Sequence, residues 1–223
     1  MKEAELSILE KEVKENPKSV FAHHRLAIGY WQAGKLEEAI QAFRRLLQLD
    51  PPNFEARINF GTLLAQMGYL EDAKRQFEYA LKGYPSSPEA WINLGLVDLH
   101  LGNISEAKDC YLKALEIIQK LKEDPEEYAK KKVKIESAEL SLWVNLSTVY
   151  IEEGEFEKAV EYCQKALAKD PNLALAYNNL AVAYHYAGKA DKAREALEKA
   201  KSLGYPVTEE LEKAVLEGSN AQG

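Results

Sequence analysis

The sequence predicts an all-α chain built as a stack of helix hairpins, and three observations predict it. Ala, Leu, Glu and Lys dominate the 223 residues, with only eight prolines. Apolar residues recur every three or four positions, the period of a helix face, and no stretch alternates as a strand would. Five glycines, Gly34, Gly68, Gly102, Gly154 and Gly188, stand 34, 34, 52 and 34 residues apart, each between two helical stretches. A fixed period of that length, carried by two amphipathic helices around a glycine turn, marks a helical solenoid.

The elements follow in order. Residues 1–19 hold one short helix with Leu6, Leu9 and Val13 on a stripe, ending at Pro17, and it is expected to cover the first end face. Hairpins follow over residues 20–53, 54–87 and 88–121. In each, Leu26, Phe60 or Leu94 lies eight residues before the glycine and is followed by a small residue, Ala27, Gly61 or Gly95. Five residues after the glycine comes Ala39, Ala73 or Ala107, then Phe43, Phe77 or Tyr111 four residues on. Small residues let two helices approach, and the large ones fill the remaining space. Hairpins over 140–173 and 174–207 repeat the pattern with Leu146, Ser147, Ala159 and Cys163, then Leu180, Ala181, Ala193 and Leu197. Thr208 is placed to cap a last helix over 208–217 with Leu211, Ala214 and Val215 inward, and the polar residues 218–223 are expected to be disordered.

The 52-residue interval contains an insertion, residues 122–139, that belongs to no hairpin. Asp124-Pro125-Glu126-Glu127 supplies an N-cap, a proline at the first helical position and acids in the first turn. The spacing therefore predicts that one helix runs on to about Lys122 and the next starts early at Pro125, as a helical arm. Glu126 with Lys130 and Glu127 with Lys131 are spaced to pair, at about 0.2–0.5 kcal/mol each. Tyr128, Val133 and Ile135 are the arm residues proposed to meet a partner, against the alternative of a solvated ornament. The run KKKVK reads as a solvated helix face, because acids flank it.

The hairpin pattern resembles the tetratricopeptide repeat (TPR) family, whose signature is W-x2-L-G-x2-Y, then A-x3-F, then P. WINLG at Trp91 and WVNLSTVY at Trp143 are close matches, and Pro51 and Pro171 close their units. His23 and Arg57 replace the tryptophan, Asp98 replaces an aromatic, and Pro206 comes one residue late. The resemblance implies a right-handed α-solenoid of five TPR hairpins, with an N-terminal half-repeat helix, a C-terminal capping helix and the extended arm between repeats 3 and 4.

At 100° per residue, each first helix turns one side away from its apolar stripe. That side carries Phe21, His24, Ile28 and Trp31; then Ile58, Asn59 and Thr62; then Ile92, Asn93, Leu96, Leu99 and His100. It continues with Val144, Asn145, Thr148 and Ile151, and with Leu175, Asn178, Asn179, Val182, His185 and Tyr186. In TPR folds such faces line the concave surface, so the resemblance implies a groove with an apolar floor. Contiguous exposed apolar area marks a binding site, and an amphipathic helix or an extended peptide of another protein fits it. Asn59, Asn93, Asn145 and Asn179 fall at one place in successive units, resembling the asparagine ladder of TPR domains that grip peptide backbones; the alternative is bonding within the solenoid. The clamp for an acidic chaperone C-terminus needs a lysine and an asparagine where this chain has His24 and Ile28, so that TPR function is not expected.

The remaining chemistry is sparse. A net charge of -7 argues against nucleic acid, whose phosphates need clustered cations. Residues 29–35 imitate a phosphate-binding loop but lack its Ser or Thr and follow no strand. His23 and His24 point about 100° apart and cannot share a metal. No cofactor, metal site or catalytic constellation is expected, and the sequons at Asn103 and Asn145 read as chance matches. Cys110 and Cys163 lie in apolar stripes as small buried thiols, pointing to a reducing, cytoplasmic setting. The first residues contain no apolar run suited to a signal peptide or membrane span. The expected function is a non-enzymatic interaction scaffold, an adaptor or assembly chaperone. The alternative is self-assembly as a homo-oligomer, another copy or the chain's own arm covering the groove.

Overall fold

The computed structural model describes residues 3–220, with side chains through 217, and every regular element among them is a helix. Backbone contacts divide the chain into two compact units, residues 1–101 and 102–223. The first unit contains α1 (Glu3–Glu15), α2 (Val20–Gln32), α3 (Leu36–Leu49), α4 (Phe54–Gln66), α5 (Leu70–Gly83) and α6 (Pro88–His100). α2–α3 and α4–α5 pack as hairpins, α1 lies on α2, and α6 packs on α4 and α5. The second unit contains α7 (Ile104–Glu123), α8 (Pro125–Glu152), α9 (Phe156–Lys169), α10 (Ala174–Tyr186), α11 (Ala190–Ser202) and α12 (Glu209–Asn220). There α8–α9 and α10–α11 pair as hairpins, α7 packs along α8, and α12 covers α10 and α11.

The local signals explain these limits. Ser19, Asn53 and Ser87 each accept a hydrogen bond from the backbone N–H three residues on, which satisfies donors that a helix start leaves unpaired. At the α4–α5 turn Gly68 sits at φ 82, the left-handed region that a side chain resists. It lets the Tyr69 N–H return to the Leu64 carbonyl at 2.9 Å and close the helix end. Inside the hairpin, a Cβ added to Gly61 would lie 2.7 Å from the Phe77 ring, so the small residue is the space that the aromatic fills.

The residues at the tryptophan position of the first three hairpins do one job. Trp91 donates from Nε1 to the Pro85 carbonyl at 2.9 Å, Arg57 donates to the Pro51 carbonyl at 2.7 and 3.0 Å, and His23 donates from Nε2 to the Pro17 carbonyl at 3.1 Å. In each case a side-chain N–H ties the helix to the carbonyl six residues earlier, in the turn that precedes it. The replacements at 23 and 57 therefore keep the donor while changing the ring. Asp98, at the aromatic position of α6, is buried and held by Lys74 of α5 at 2.6 Å.

Both end helices pack as expected. Leu6 and Leu9 are buried against Leu26, with Val13 beside them. Val215 is buried among α10 and α11 residues, Leu211 packs against them, and the Thr208 hydroxyl accepts from the Leu211 N–H at 3.3 Å. α12 continues to Asn220, three residues into the stretch expected as a disordered tail, and the rest of that stretch, residues 221–223, lies outside the described residues.

The insertion is shared between two helices. α7 has 20 residues and α8 has 28, against 13 or 14 in the regular hairpins. α8 begins at Pro125, with Asp124 accepting from the Glu126 and Glu127 N–H groups at 3.0 and 3.1 Å. Both Lys130 and Lys131 pair with Glu127, so Lys130 takes that acid rather than Glu126.

The extension does not stand wholly clear of the fold. Ile135 is buried, which removes it from any contact surface, while Val133 is 81% exposed and Tyr128, half-buried, donates to Glu136 at 3.1 Å. Glu139, 4% exposed, takes hydrogen bonds from Lys122 of α7 at 2.6 and 2.8 Å and from Lys169 of α9 at 2.8 Å. A buried carboxylate thus pins the long pair to its neighbour. Burial pushes its pKa up, and the two lysines more than offset that, leaving it below the usual carboxylate range.

Candidate functional site

In the first unit, α2, α4 and α6 present the candidate face. Their alignment is visible in the bonds between them: Trp31 donates to Gln66 at 2.8 Å, Asn59 donates to His24 at 3.1 Å, and Asn93 donates to the Thr62 hydroxyl at 3.1 Å. Phe21 on α2 is 67% exposed and Leu96 on α6 is 36% exposed, while Ile28, Trp31 and Leu99 are half-buried. Between them α4 offers only Asn59, Thr62 and Ala65, all half-buried, so the face is a trough with small residues along its middle. A recess of about 340 Å³, lined by Leu9, His24, Arg25 and Ile28, adjoins it between α1 and α2. His100, exposed at the end of α6, bonds its own helix at the Leu96 carbonyl, 2.8 Å away.

In the second unit, α8 and α10 carry the corresponding residues. Leu175 is exposed, Tyr186 is 63% exposed, and Ile151, Asn178, Val182 and His185 are half-buried. Tyr186 stacks on Phe156 with ring centroids 5.5 Å apart, and His185 meets it edge-on. Asn145 is half-buried.

One expectation is corrected. Ile58, Ile92 and Val144 are buried, so they support the surface from beneath and are not part of it. They share one register position, one residue before the asparagine, where each side chain is covered by its neighbours. Of the two readings of the asparagines, bonding within the solenoid is the one that the amide nitrogens of Asn59, Asn93 and Asn179 follow. Asn93 donates to Thr62, whose hydroxyl donates to the Ile58 carbonyl at 2.9 Å. Asn179, itself buried, donates to Ser147 and Thr148 at 2.9 and 3.0 Å, and both hydroxyls donate to the Val144 carbonyl. The same relay of amide, hydroxyl and carbonyl knits successive first helices in both units. Its signal in the sequence is a hydroxyl residue about 31 positions before an asparagine, at Thr62 and again at Thr148.

The arm tip is electrically mixed: the lysines of KKKVK stand beside Glu126, Glu127 and Glu136, and two are already paired. Cys110 and Cys163 are buried thiols, and burial pushes the Cys163 thiol up to about 11, so it is unreactive as a thiolate at neutral pH. Among the described residues, no three His, Cys, Asp or Glu side chains converge as metal ligands, and no helix is long and apolar enough to cross a membrane.

Known proteins share this architecture. The photosystem I assembly protein Ycf3 of Rippkaea orientalis is 34% identical over 87 residues, which cover 39% of this chain and 40% of that relative. The match thus spans about two fifths of the curated relative's length. The crystal structure of MamA superposes with a TM-score of 0.63 at 24% identity, over 80% of this chain and 94% of that one. That of YrrB, described as a TPR protein with an unusual peptide-binding site, superposes with a TM-score of 0.66 at 21% identity, over 95% and 97%. The PilF structure from Pseudomonas aeruginosa gives 0.69 at 18% identity, over 91% and 84%. Such identities show a common fold. Family models for the tetratricopeptide repeat match residues 20–53, 58–125 and 138–203, the stretches that form the helices described above, and the chain belongs to the tetratricopeptide repeat family.

Proposed function

We propose that the protein is a non-enzymatic scaffold, an adaptor or assembly chaperone, that holds an apolar or amphipathic segment of another protein on the exposed faces of its first helices. The observation that carries this reading is the trough of the first unit, where Phe21 and Leu96 stay exposed beside half-buried Ile28, Trp31 and Leu99. Burying one such aliphatic contributes about 1.5 kcal/mol or more, so a few anchors offset the cost of association. Two similarities support it: YrrB is described by a peptide-binding site, and Ycf3 by assembly of a larger complex. In the second unit Leu175, Val182 and Tyr186 form the corresponding proposed surface. Val133 is the arm residue most available for a partner. A cytoplasmic, reducing setting belongs to the same proposal.

The test is capture of partners from the native cell with wild-type protein and with Leu96→Asp. Because Leu96 is already at the surface, the variant should keep its fold and lose its partners. Partners retained at wild-type levels would remove this face from the function. Self-association remains the competing occupant, and light scattering over a concentration series separates the two: a chain that stays monomeric leaves the face open to other proteins.

A further inference from the structure

We propose that the occupant of the first unit's trough is an amphipathic helix with one bulky apolar anchor and a Lys or Arg about two turns away. This rests on the scaffold reading and adds the partner's chemistry. α4 sets the shape of the trough. Its Asn59, Thr62 and Ala65 form a low floor between Ile28 and Trp31 on one side and Leu96 and Leu99 on the other. A helix resting on this low floor would lie between the taller side chains of α2 and α6. A large side chain seated over Thr62 would fill the space that α4 leaves open.

The ends of the same helices differ in charge. Glu55 on α4 and Glu89 on α6 occupy the same place in their hairpins, both are exposed, and neither forms an ion pair among the described residues. The opposite end of the face carries Gln32, Gln66 and His100. The trough therefore has one acidic end and one without exposed acids on these helices, which orients a segment whose basic residue lies to one side of its anchor. Acids near a helix start also favour the helix dipole. That role does not require them here, since α2 and α10 begin with Phe21 and Leu175 at the same place. Glu55 precedes Thr62 by seven residues, about 10 Å along α4 at 1.5 Å per residue. A partner helix lying along α4 covers the same distance in seven residues, so the expected pattern is an anchor and a cation at i and i+7.

The experiment uses the intact chain and two synthetic helix-forming peptides, one with Trp and Lys seven residues apart and one with Glu in place of that Lys. Fluorescence titrations are run against wild type, Glu55→Lys with Glu89→Lys, Leu96→Asp and Thr62→Trp, each first shown by thermal unfolding to be folded. The expected result is that wild type binds the Lys peptide at least tenfold more tightly than the Glu peptide, that the double charge reversal inverts this order, and that added salt reduces it. Leu96→Asp and Thr62→Trp should weaken both peptides. Equal binding of the two peptides that Leu96→Asp still abolishes would overturn the charge inference and leave the scaffold reading standing. Absence of binding by either peptide would overturn the proposed occupant, and binding indifferent to Leu96→Asp and Thr62→Trp would sink both readings.

Discussion

In the α4–α5 hairpin a glycine lies under a phenylalanine ring and another glycine makes the turn; in the α7–α8 pair an aspartate caps the turn and a buried carboxylate bridges three helices. The first arrangement is held by shape, with no room for a Cβ beneath the ring. The second adds a charged bridge to its apolar contacts, and that part depends on protonation. Where the chain keeps its 34-residue interval it can reuse the same small-against-large packing. Where the interval grows to 52, the insertion buries Ile135 beside the extended pair, and Lys122, Glu139 and Lys169 add a charged bridge. The contrast teaches that a repeat protein can lengthen one pair by changing the kind of interaction, not only its extent.

The largest effect should come from breaking the shape-held side. Gly61→Val drives a branched side chain into Phe77 and should cost about 3 kcal/mol of stability in urea unfolding. A loss well under 1 kcal/mol would mean that the ring moves aside freely. Next comes the charge-held side. Glu139→Gln leaves two lysines facing a neutral amide and should cost about 2 kcal/mol at neutral pH.

The pH dependence of that loss sharpens the comparison. Because the folded pKa of Glu139 is depressed, its contribution is present above the unfolded carboxylate value of about 4.3 and disappears as pH falls through the lower folded value. Wild type and Glu139→Gln should therefore converge in acid, while wild type and Gly61→Val should stay apart. A gap that does not change with pH would show that Glu139 acts by packing.

Smaller effects come from the turns. Gly68→Ala forces a side chain into the left-handed region at φ 82 and should cost about 1.5 kcal/mol. Asp124→Ala removes the acceptor for two amides and should cost about 1 kcal/mol, appearing as faster hydrogen exchange at Glu126 and Glu127. Unchanged exchange at those two amides would mean that the cap contributes nothing to the start of α8.

Much of the architecture was legible because its signals are local. The end of α7 at Glu123 and the start of α8 at Pro125 follow from a cap and a proline within four residues of sequence. The site was less legible. A helical wheel shows which way Ile58, Ile92 and Val144 point, but not that the adjoining helices rise high enough to bury them. The inward turn of Asn93 and Asn179 depends on hydroxyls 31 residues earlier, a relation that only the packing of successive hairpins creates. Glu139 left a fainter mark, an acid at a helix position in register with buried Ile135 and Leu142. Its partners Lys122 and Lys169 lie 17 and 30 residues away, and no periodicity connects them.

The trough itself is tested most directly by a photoreactive amino acid placed at Leu96, and in a separate preparation at Tyr79, an exposed residue on α5. Illuminated in the cells that make the protein, the chain labelled at 96 should cross-link to a different protein and the chain labelled at 79 should not. Cross-links to a foreign chain from position 79 alone, or from position 96 only to copies of this chain, would contradict it.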